Sequence, residues 1–233
     1  TNSPAMKKII LTIIVFALSS SKIYAQWNQI GPNYGSSNNP TPIINNICTA
    51  SDTIYAVNNV FGIHYSTNLG VTWCETGLLN GNYVSVAASR GVILIGKDAI
   101  YRSTDKGETW NGIPSSGGIQ TLALKDNIAL CGRSVGFFIS TDAGLSWANP
   151  IVTGNFTASA ISGTVCLAGS TSGLYRSTNY SSFPLALSKT VNSLTVNSNT
   201  VYCCSTTGLD ISTDQGLTWN TTSMTMNTNS LAF

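Results

Sequence analysis

Eight residues of this chain recur five times. Ser66 opens STNLGVTW, Ser103 STDKGETW, Ser140 STDAGLSW, Ser177 STNYSSFP and Ser212 STDQGLTW, so successive octets start 37, 37, 37 and 35 residues apart. A constant period of about 20–50 residues is the mark of a repeat architecture, in which one small supersecondary unit is copied and stacked. That spacing constrains the fold more than any other property of the sequence.

The segments between octets repeat as well. In the third unit IQTLALKDN (119–127) is followed by IALCGRSVG (128–136) and FFIS, and the octet then runs into WANPIVTGN (147–155). In the fifth unit the corresponding runs are VNSLTVNSN, TVYCCSTTG and LDIS. Short runs of alternating apolar and polar residues bounded by turn formers read as half-buried strands, and no segment between the octets sustains a helical period. Four short strands in under about forty residues make a blade of a β-propeller. A parallel β-helix has shorter coils and no repeated tryptophan hairpin. The predicted class is therefore all-β: a propeller of four-stranded antiparallel blades, five blades plus parts of a sixth.

Within each unit the octet lies between the third and fourth strands. Its carboxylate can accept N–H groups of its own turn. Its glycine permits a positive φ, its first hydroxyl can tie down nearby backbone, and its indole can cover the apolar side of the hairpin. The pattern Ser-x-Asp-x-Gly-x-Thr-Trp resembles the Asp-box, or BNR repeat. The positions that carry the resemblance are Ser66, Asn68, Gly70 and Trp73; Ser103, Asp105, Gly107 and Trp110; Ser140, Asp142, Gly144 and Trp147; Ser177 and Asn179; and Ser212, Asp214, Gly216 and Trp219. The first copy has Asn68 for Asp, the third Ser146 for Thr, and the fourth lacks both the glycine and the tryptophan. The likeness extends from about Pro42 to Asn227, with repeats at about 42–82, 83–118, 119–155, 156–190 and 191–227. It implies a family that includes sialidases, xyloglucan-type glycoside hydrolases, sortilin-type receptors and photosystem II assembly factors, with the boxes on the face opposite any active site.

The ends carry separate expectations. Met6-Lys7-Lys8, the apolar run Ile9–Leu18 and the sequence up to Ala25 have the order of a secretory signal peptide. Residues 1–25 are read as that peptide with upstream residues, and 26–233 as the propeller. The apolar run is too short to span a bilayer, and no membrane span follows it. Gln26–Pro32 resembles an outer strand, and Asn229–Phe233 an inner first strand. The expectation is a C-terminal blade left incomplete, in a protein that is monomeric at full length and secreted or held at a bacterial cell surface.

Charge belongs mostly to the leader. The full chain has 11 Lys+Arg against 9 Asp+Glu. Residues 1–25 hold Lys7, Lys8 and Lys22 and no acid, so the remainder has 8 against 9, a net charge of −1. A basic face for nucleic acid is thereby excluded as a reading. Six cysteines are present, without a CxxC pair or a histidine partner. Cys131, Cys166, Cys203 and Cys204 lie in apolar runs, which favours buried free thiols over zinc, with a disulfide between neighbouring repeats as the alternative.

The residues present assemble few catalytic constellations. The sialidase resemblance implies three arginines, a tyrosine and a glutamate. The arginines here are Arg90, Arg102, Arg133 and Arg176, of which Arg102 and Arg176 directly precede an octet serine. The glutamates Glu75 and Glu108 lie beyond or inside octets. Outside the octets the aspartates are Asp52 and Asp126 on the box side, Asp98 on the opposite side and Asp210 in a third strand, so no carboxylate pair for glycoside hydrolysis comes together. His64 is a lone strand histidine. No clustered carboxylates suggest calcium. The glycosylation sequons at Asn155, Asn179 and Asn220 are irrelevant in a bacterial host.

What remains is the face made by the loops between second and third strands, where Asn58, Lys97, Asp98 and Arg133 form the candidate ligand face. The reading is a secreted, non-catalytic binding or scaffold module for a protein or glycan ligand, without cofactor or metal. The alternative is a part of an exported sialidase-like or xyloglucanase-like hydrolase whose catalytic residues lie elsewhere.

Overall fold

A computed structural model describes residues 43–78, 81–115, 117–224 and 226–230. The expected signal peptide, the expected outer strand at Gln26–Pro32 and the end of the expected inner strand, Leu231–Phe233, lie outside the described residues. Every regular element within them is a strand.

The strands fall into five antiparallel sheets in chain order. The first is β1 (Ile44–Ala50), β2 (Thr53–Asn58), β3 (Ile63–Ser66) and β4 (Cys74–Glu75). The second is β5 (Ser85–Ser89), β6 (Val92–Gly96), β7 (Ile100–Ser103) and β8 (Asn111–Ile113). The third has β9 (Ile119–Lys125), β10 (Ile128–Arg133) and β11 (Gly136–Ser140). The fourth is β12 (Phe156–Ser162), β13 (Val165–Ser170), β14 (Gly173–Ser177) and β15 (Leu185–Leu187). The fifth is β16 (Val191–Asn197), β17 (Thr200–Ser205), β18 (Gly208–Ser212) and β19 (Asn220–Thr221). Each sheet is a blade, and β1, β5, β9, β12 and β16 stand next to one another as the innermost strands.

The third blade departs from the expected four strands. Its last segment forms no regular strand but is held by a bridge between Phe137 and Val152 and by N–H···O bonds from Phe137 to Val152 (2.8 Å), from Ile151 to Phe137 (2.9 Å) and from Ala148 to Ile139 (3.0 Å). Pro150 lies in this segment and has no N–H to give to a ladder, which confines it to an edge and shortens the pairing.

Apolar layers between blades form the core. Tyr55, Val57 and Ile63 of blade 1 meet Val86, Ile93 and Ile95 of blade 2. Leu94 and Ile100 meet Ala129 and Cys131 between blades 2 and 3. Leu130, Phe137 and Ile139 meet Phe156 and Cys166 between blades 3 and 4, and Leu167 and Leu174 meet Val201 and Cys203 between blades 4 and 5. Strands buried on both faces read as near-continuous apolar runs, as in IALC and TVCLAG. The octet residue nearest the layer joins it: Trp110, Trp147 and Trp219 in blades 2, 3 and 5. Blade 4 lacks the tryptophan, and Phe183 takes its place, with ring centroids 5.4 Å from Phe137. All six cysteines are free thiols.

Inner strands carry one extra residue each in four blades. Asn45, Gln120, Thr157 and Asn192 are bulged out of the register with the second strand. A bulge re-aims its side chain, and here each is turned toward the next blade.

Candidate functional site

The octet hairpins are rigid hydrogen-bonded units. In the second copy Ser103 Oγ accepts the Gly107 N–H (2.9 Å) and donates to Asp105 Oδ1 (2.7 Å). Asp105 also accepts the Thr109 N–H at 3.0 Å and the Thr109 hydroxyl, and the Trp110 indole donates to the Gly107 carbonyl at 2.9 Å. The same bonds recur around Ser140, Asp142, Gly144 and Trp147, and around Ser212, Asp214, Gly216 and Trp219. In the first copy Asn68 accepts the Thr72 N–H (2.8 Å) and returns a bond from Nδ2 to Thr72 Oγ1 (2.7 Å), while Ser66, Gly70 and Trp73 behave as elsewhere. In the fourth, Asn179 Oδ1 accepts the N–H groups of Ser181 and Ser182, both at 3.1 Å, and Ser177 Oγ accepts that of Tyr180 at 3.0 Å.

The backbone turns through two left-handed residues, and only the second is a glycine. Gly70, Gly107, Gly144 and Gly216 have φ between 81° and 91°. The residues before them, Leu69, Lys106, Ala143 and Gln215, and Tyr180 in the fourth copy, also have φ of 56–64°. At Gly107 a Cβ would in addition stand 2.9 Å from Thr76 Cγ2.

Hydrogen bonds set the charge state of the octet acids. The Thr109 hydroxyl and N–H, with Ser103, hold Asp105 down at about 2. Desolvation pushes Asp142 up, but bonds from Ser140, Ser146 and Leu145 outweigh it and hold the group at about 2. Thr218 and Ser212 hold Asp214 well below the ordinary carboxylate range. These carboxylates are committed acceptors with no proton to donate near neutral pH.

The other acids and His64 are also placed. Asp126 pairs with Arg90 at 2.5 Å on the octet side, and both are exposed. Asp210, fully buried, takes Lys189 Nζ at 2.7 and 2.9 Å and the Thr221 hydroxyl at 2.6 Å. His64 is packed at 2 % exposure, with Nε2 3.9 Å from Glu75 Oε1. Burial pushes the His64 pKa down, against the pull of Glu75. Arg102 and Arg176 latch blades together, donating from Nε at 3.0 Å to the carbonyls of Ala143 and Gln215, the left-handed residue of the next octet.

Two residues of the expected ligand face are not solvent-facing. Asn58 is fully buried; its Oδ1 accepts the N–H groups of Val60 (2.9 Å) and Phe61 (2.6 Å), and so shapes its own loop. Ser170 and Ser205 fill the same place at the ends of β13 and β17 and bind their loops in the same way. Arg133 is 4 % exposed, with its guanidinium 4.1 Å from the centroid of the Phe138 ring and its Nε 3.3 Å from Cys131 Sγ. A long cationic side chain can lay its stem and guanidinium over an aromatic ring in this way, which loop polarity alone does not foretell. Lys97 and Asp98 do reach the rim: Lys97 is half-buried, 6.0 Å over the Tyr83 ring, and Asp98 is exposed.

The structure gathers a different set of polar groups between the inner strands. A cavity of about 250 Å³ is lined from all five blades, by Asn45 and Asn46, Ser85, Gln120 and Thr121, Thr157 and Ser159, and Asn192 and Ser193 among others, with no ionisable side chain among them. It lies toward the start of the inner strands, the end opposite the octets. The bulged residues form its collar. Asn45 Nδ2 donates to the Tyr83 carbonyl (2.7 Å), Gln120 Nε2 to Asn155 Oδ1 (2.7 Å), Thr157 Oγ1 to the Val191 carbonyl (2.9 Å) and Asn192 Nδ2 to the Thr228 carbonyl (2.9 Å). Lower down, the Thr121 and Ser159 hydroxyls meet at 2.9 Å. Sequence reasoning passed over these residues. Their signal was the polar second position of INNI, IQTL, FTAS and VNSL.

No family model matches the chain, and no curated protein matches it. Solved structures do match. A GH74 enzyme from Niastella koreensis is 20 % identical, with 77 % of this chain and 30 % of that one covered and a TM-score of 0.61. YCF48 bound to D1 peptide is 15 % identical, with 82 % of this chain and 72 % of that one covered and a TM-score of 0.54. An ancestral GH74 enzyme is 17 % identical, with 80 % of this chain and 32 % of that one covered and a TM-score of 0.62. The likeness at these identities is one of fold, that of β-propellers. The chain spans about a third of the length of the GH74 enzymes.

Proposed function

We propose that this chain is an exported Asp-box propeller that binds an uncharged polar ligand at the collar of its inner-strand cavity and does no chemistry there. The observation that carries the reading is the lining: amides and hydroxyls from five blades, without a carboxylate, imidazole or thiol. Such a surface offers donors and acceptors to a peptide backbone or to sugar hydroxyls, and no group that transfers a proton near neutral pH. The octets, the period and the likeness to propeller structures support the family. One of those neighbours is bound to a peptide, which favours a peptide over a glycan. Export rests on the signal-like residues 1–25 and is tested by sequencing the mature N-terminus, expected at Gln26.

The binding test uses the whole chain on peptide and glycan arrays, with Gln120→Ala and Ser159→Ala as variants. Binding lost in both variants while thermal stability is kept supports the site. Ligand retained in both, or turnover of xyloglucan oligosaccharides, overturns it. The likeness to GH74 enzymes favours a second reading, a segment of a longer exported glycoside hydrolase, which such turnover would support.

A further inference from the structure

The junctions between neighbouring blades differ on the octet side, as equivalent positions of the repeat show. Between blades 3 and 4 these are Ile128, Leu130 and Ile139 facing Ile161, Cys166 and Tyr180, and all belong to or pack against one apolar layer. Here the fourth octet residue, Tyr180, is partly buried against that layer. Between blades 2 and 3 the junction is closed by Arg102 on the Ala143 carbonyl, and between blades 4 and 5 by Arg176 on the Gln215 carbonyl.

Between blades 1 and 2 the corresponding residues are Thr53, Tyr55 and Tyr65 facing Ala88, Ile93 and Lys106. They leave a cavity of about 190 Å³. The cause is legible residue by residue. Tyr65 stands where Arg102 and Arg176 stand, so this junction lacks the guanidinium that the other two lay on an octet carbonyl of the next blade. Ala88 replaces Ile161, and Thr53 replaces Ile128. Lys106 replaces Tyr180 and is turned to solvent, with no carboxylate paired to it among the described residues. Ile93, 1 % exposed, forms the floor, and the Tyr55 and Tyr65 rings, 6.4 Å apart and tilted by 39°, form one wall.

We infer that this cleft is a binding site for a single aromatic ring bearing a carboxylate. An apolar cavity of roughly 150 Å³ accepts one benzene, so this volume suits one six-membered ring. At the equivalent octet position between blades 3 and 4, Tyr180 packs against the apolar layer. The tyrosine wall favours tilted or edge-on aromatic contact. The Lys106 ammonium at the rim supplies the counter-charge for a carboxylate, and the floor gives nothing to a ligand that is polar on every side. The chemistry is shared by a free aryl acid and by the C-terminal aromatic residue of a partner peptide.

The test follows the Tyr55 and Tyr65 ring resonances of the full chain, assigned with Tyr→Phe variants, during titration with N-acetyl-phenylalanine. N-acetyl-phenylalanine amide, N-acetylalanine and a tetrapeptide ending in phenylalanine with a free carboxylate are titrated alongside. Saturable shifts with the acid, at least tenfold weaker binding of the amide, and none by N-acetylalanine are expected. Tighter binding of the tetrapeptide would identify a chain terminus as the source, and equal binding a free aryl acid; both support the site. Ala88→Ile, which restores the blade 4 residue, should abolish binding. Lys106→Glu, at an exposed position that cannot unfold the core, should weaken the acid at least tenfold and leave the amide unchanged. No saturable shift at millimolar acid, equal binding of N-acetylalanine, or an unchanged response in Lys106→Glu would overturn the inference even if Ala88→Ile failed to fold.

Discussion

Replacing Ser103 by alanine isolates what the repeated serine does. Its hydroxyl is buried, at 1 % exposure for the residue, and accepts the Gly107 N–H at 2.9 Å while donating to Asp105 at 2.7 Å. Alanine removes the acceptor and leaves the buried Gly107 N–H without it. Stranding one buried backbone donor costs about 1–3 kcal/mol. With the midpoint of a domain this size moving by about 2–4 °C per kcal/mol, a loss near 2 kcal/mol lowers Tm by about 4–8 °C. The assay is thermal unfolding followed by far-ultraviolet circular dichroism at neutral pH, with Asp105→Asn as the control. Asparagine already works in the first octet, where Asn68 accepts the Thr72 N–H and donates to its hydroxyl, so the control should unfold close to the parent. A Ser103→Ala midpoint equal to the parent's, or an Asp105→Asn variant equally destabilised, would refute the assignment of the hydroxyl as the hub.

Three further outcomes follow from named contacts. Lys189→Met leaves the fully buried Asp210 without its cation, and removing one member of a buried pair costs about 3–5 kcal/mol; the double variant with Asp210→Leu should recover most of it in urea unfolding, and a single variant as stable as the parent would disprove the pair's role. Truncating Phe137, fully buried between Phe156 (5.2 Å) and Phe183 (5.4 Å), to alanine should cost about 3–5 kcal/mol, and an unchanged urea midpoint would disprove its place in the core. Acid weakens the octets in a fixed window: Asp105 and Asp142 are held at about 2, below an ordinary value of about 3.9. Their contribution is complete above that ordinary value and is lost as pH falls toward 2, so urea midpoints should drop between pH 4 and 2, and a flat profile there would count against the bonds described.

The octet was readable because five copies superpose a weak pattern until only required atoms stand out. The left-handed residue before the glycine was not readable. Leu69, Lys106, Ala143, Tyr180 and Gln215 share a backbone angle and no side-chain chemistry, and composition at one position carries no trace of φ when bonds to a neighbouring serine and aspartate stabilise the turn. The pairing of Lys189 with Asp210 is not legible for a different reason. They are 21 residues apart, occur in one blade only, and have no repeat to advertise them. Arg133 was misplaced because its loop looks polar, while the Phe138 ring that covers its guanidinium is five residues away and on the neighbouring strand.

These gaps share a physical cause that also directs where specificity is sought. Residues that build the blade recur with the period. Residues that distinguish one blade from another sit where the period is broken. At the end of each second strand Asn58, Ser170 and Ser205 bind their own loops, whereas blades 2 and 3 have Lys97 and Arg133 there. Arg133 is folded into the core and Lys189 is tied to Asp210. On the loops between second and third strands, exposed charge is therefore confined to the Lys97–Ala99 turn of blade 2. On the function proposed above, a ligand at the collar would meet four bulged amide or hydroxyl side chains and one charged turn. An extended peptide can use that asymmetry to choose a direction across the cavity, because its two ends differ in charge. Charge reversal at Lys97, which leaves the collar intact, should then change which terminus is preferred without abolishing binding.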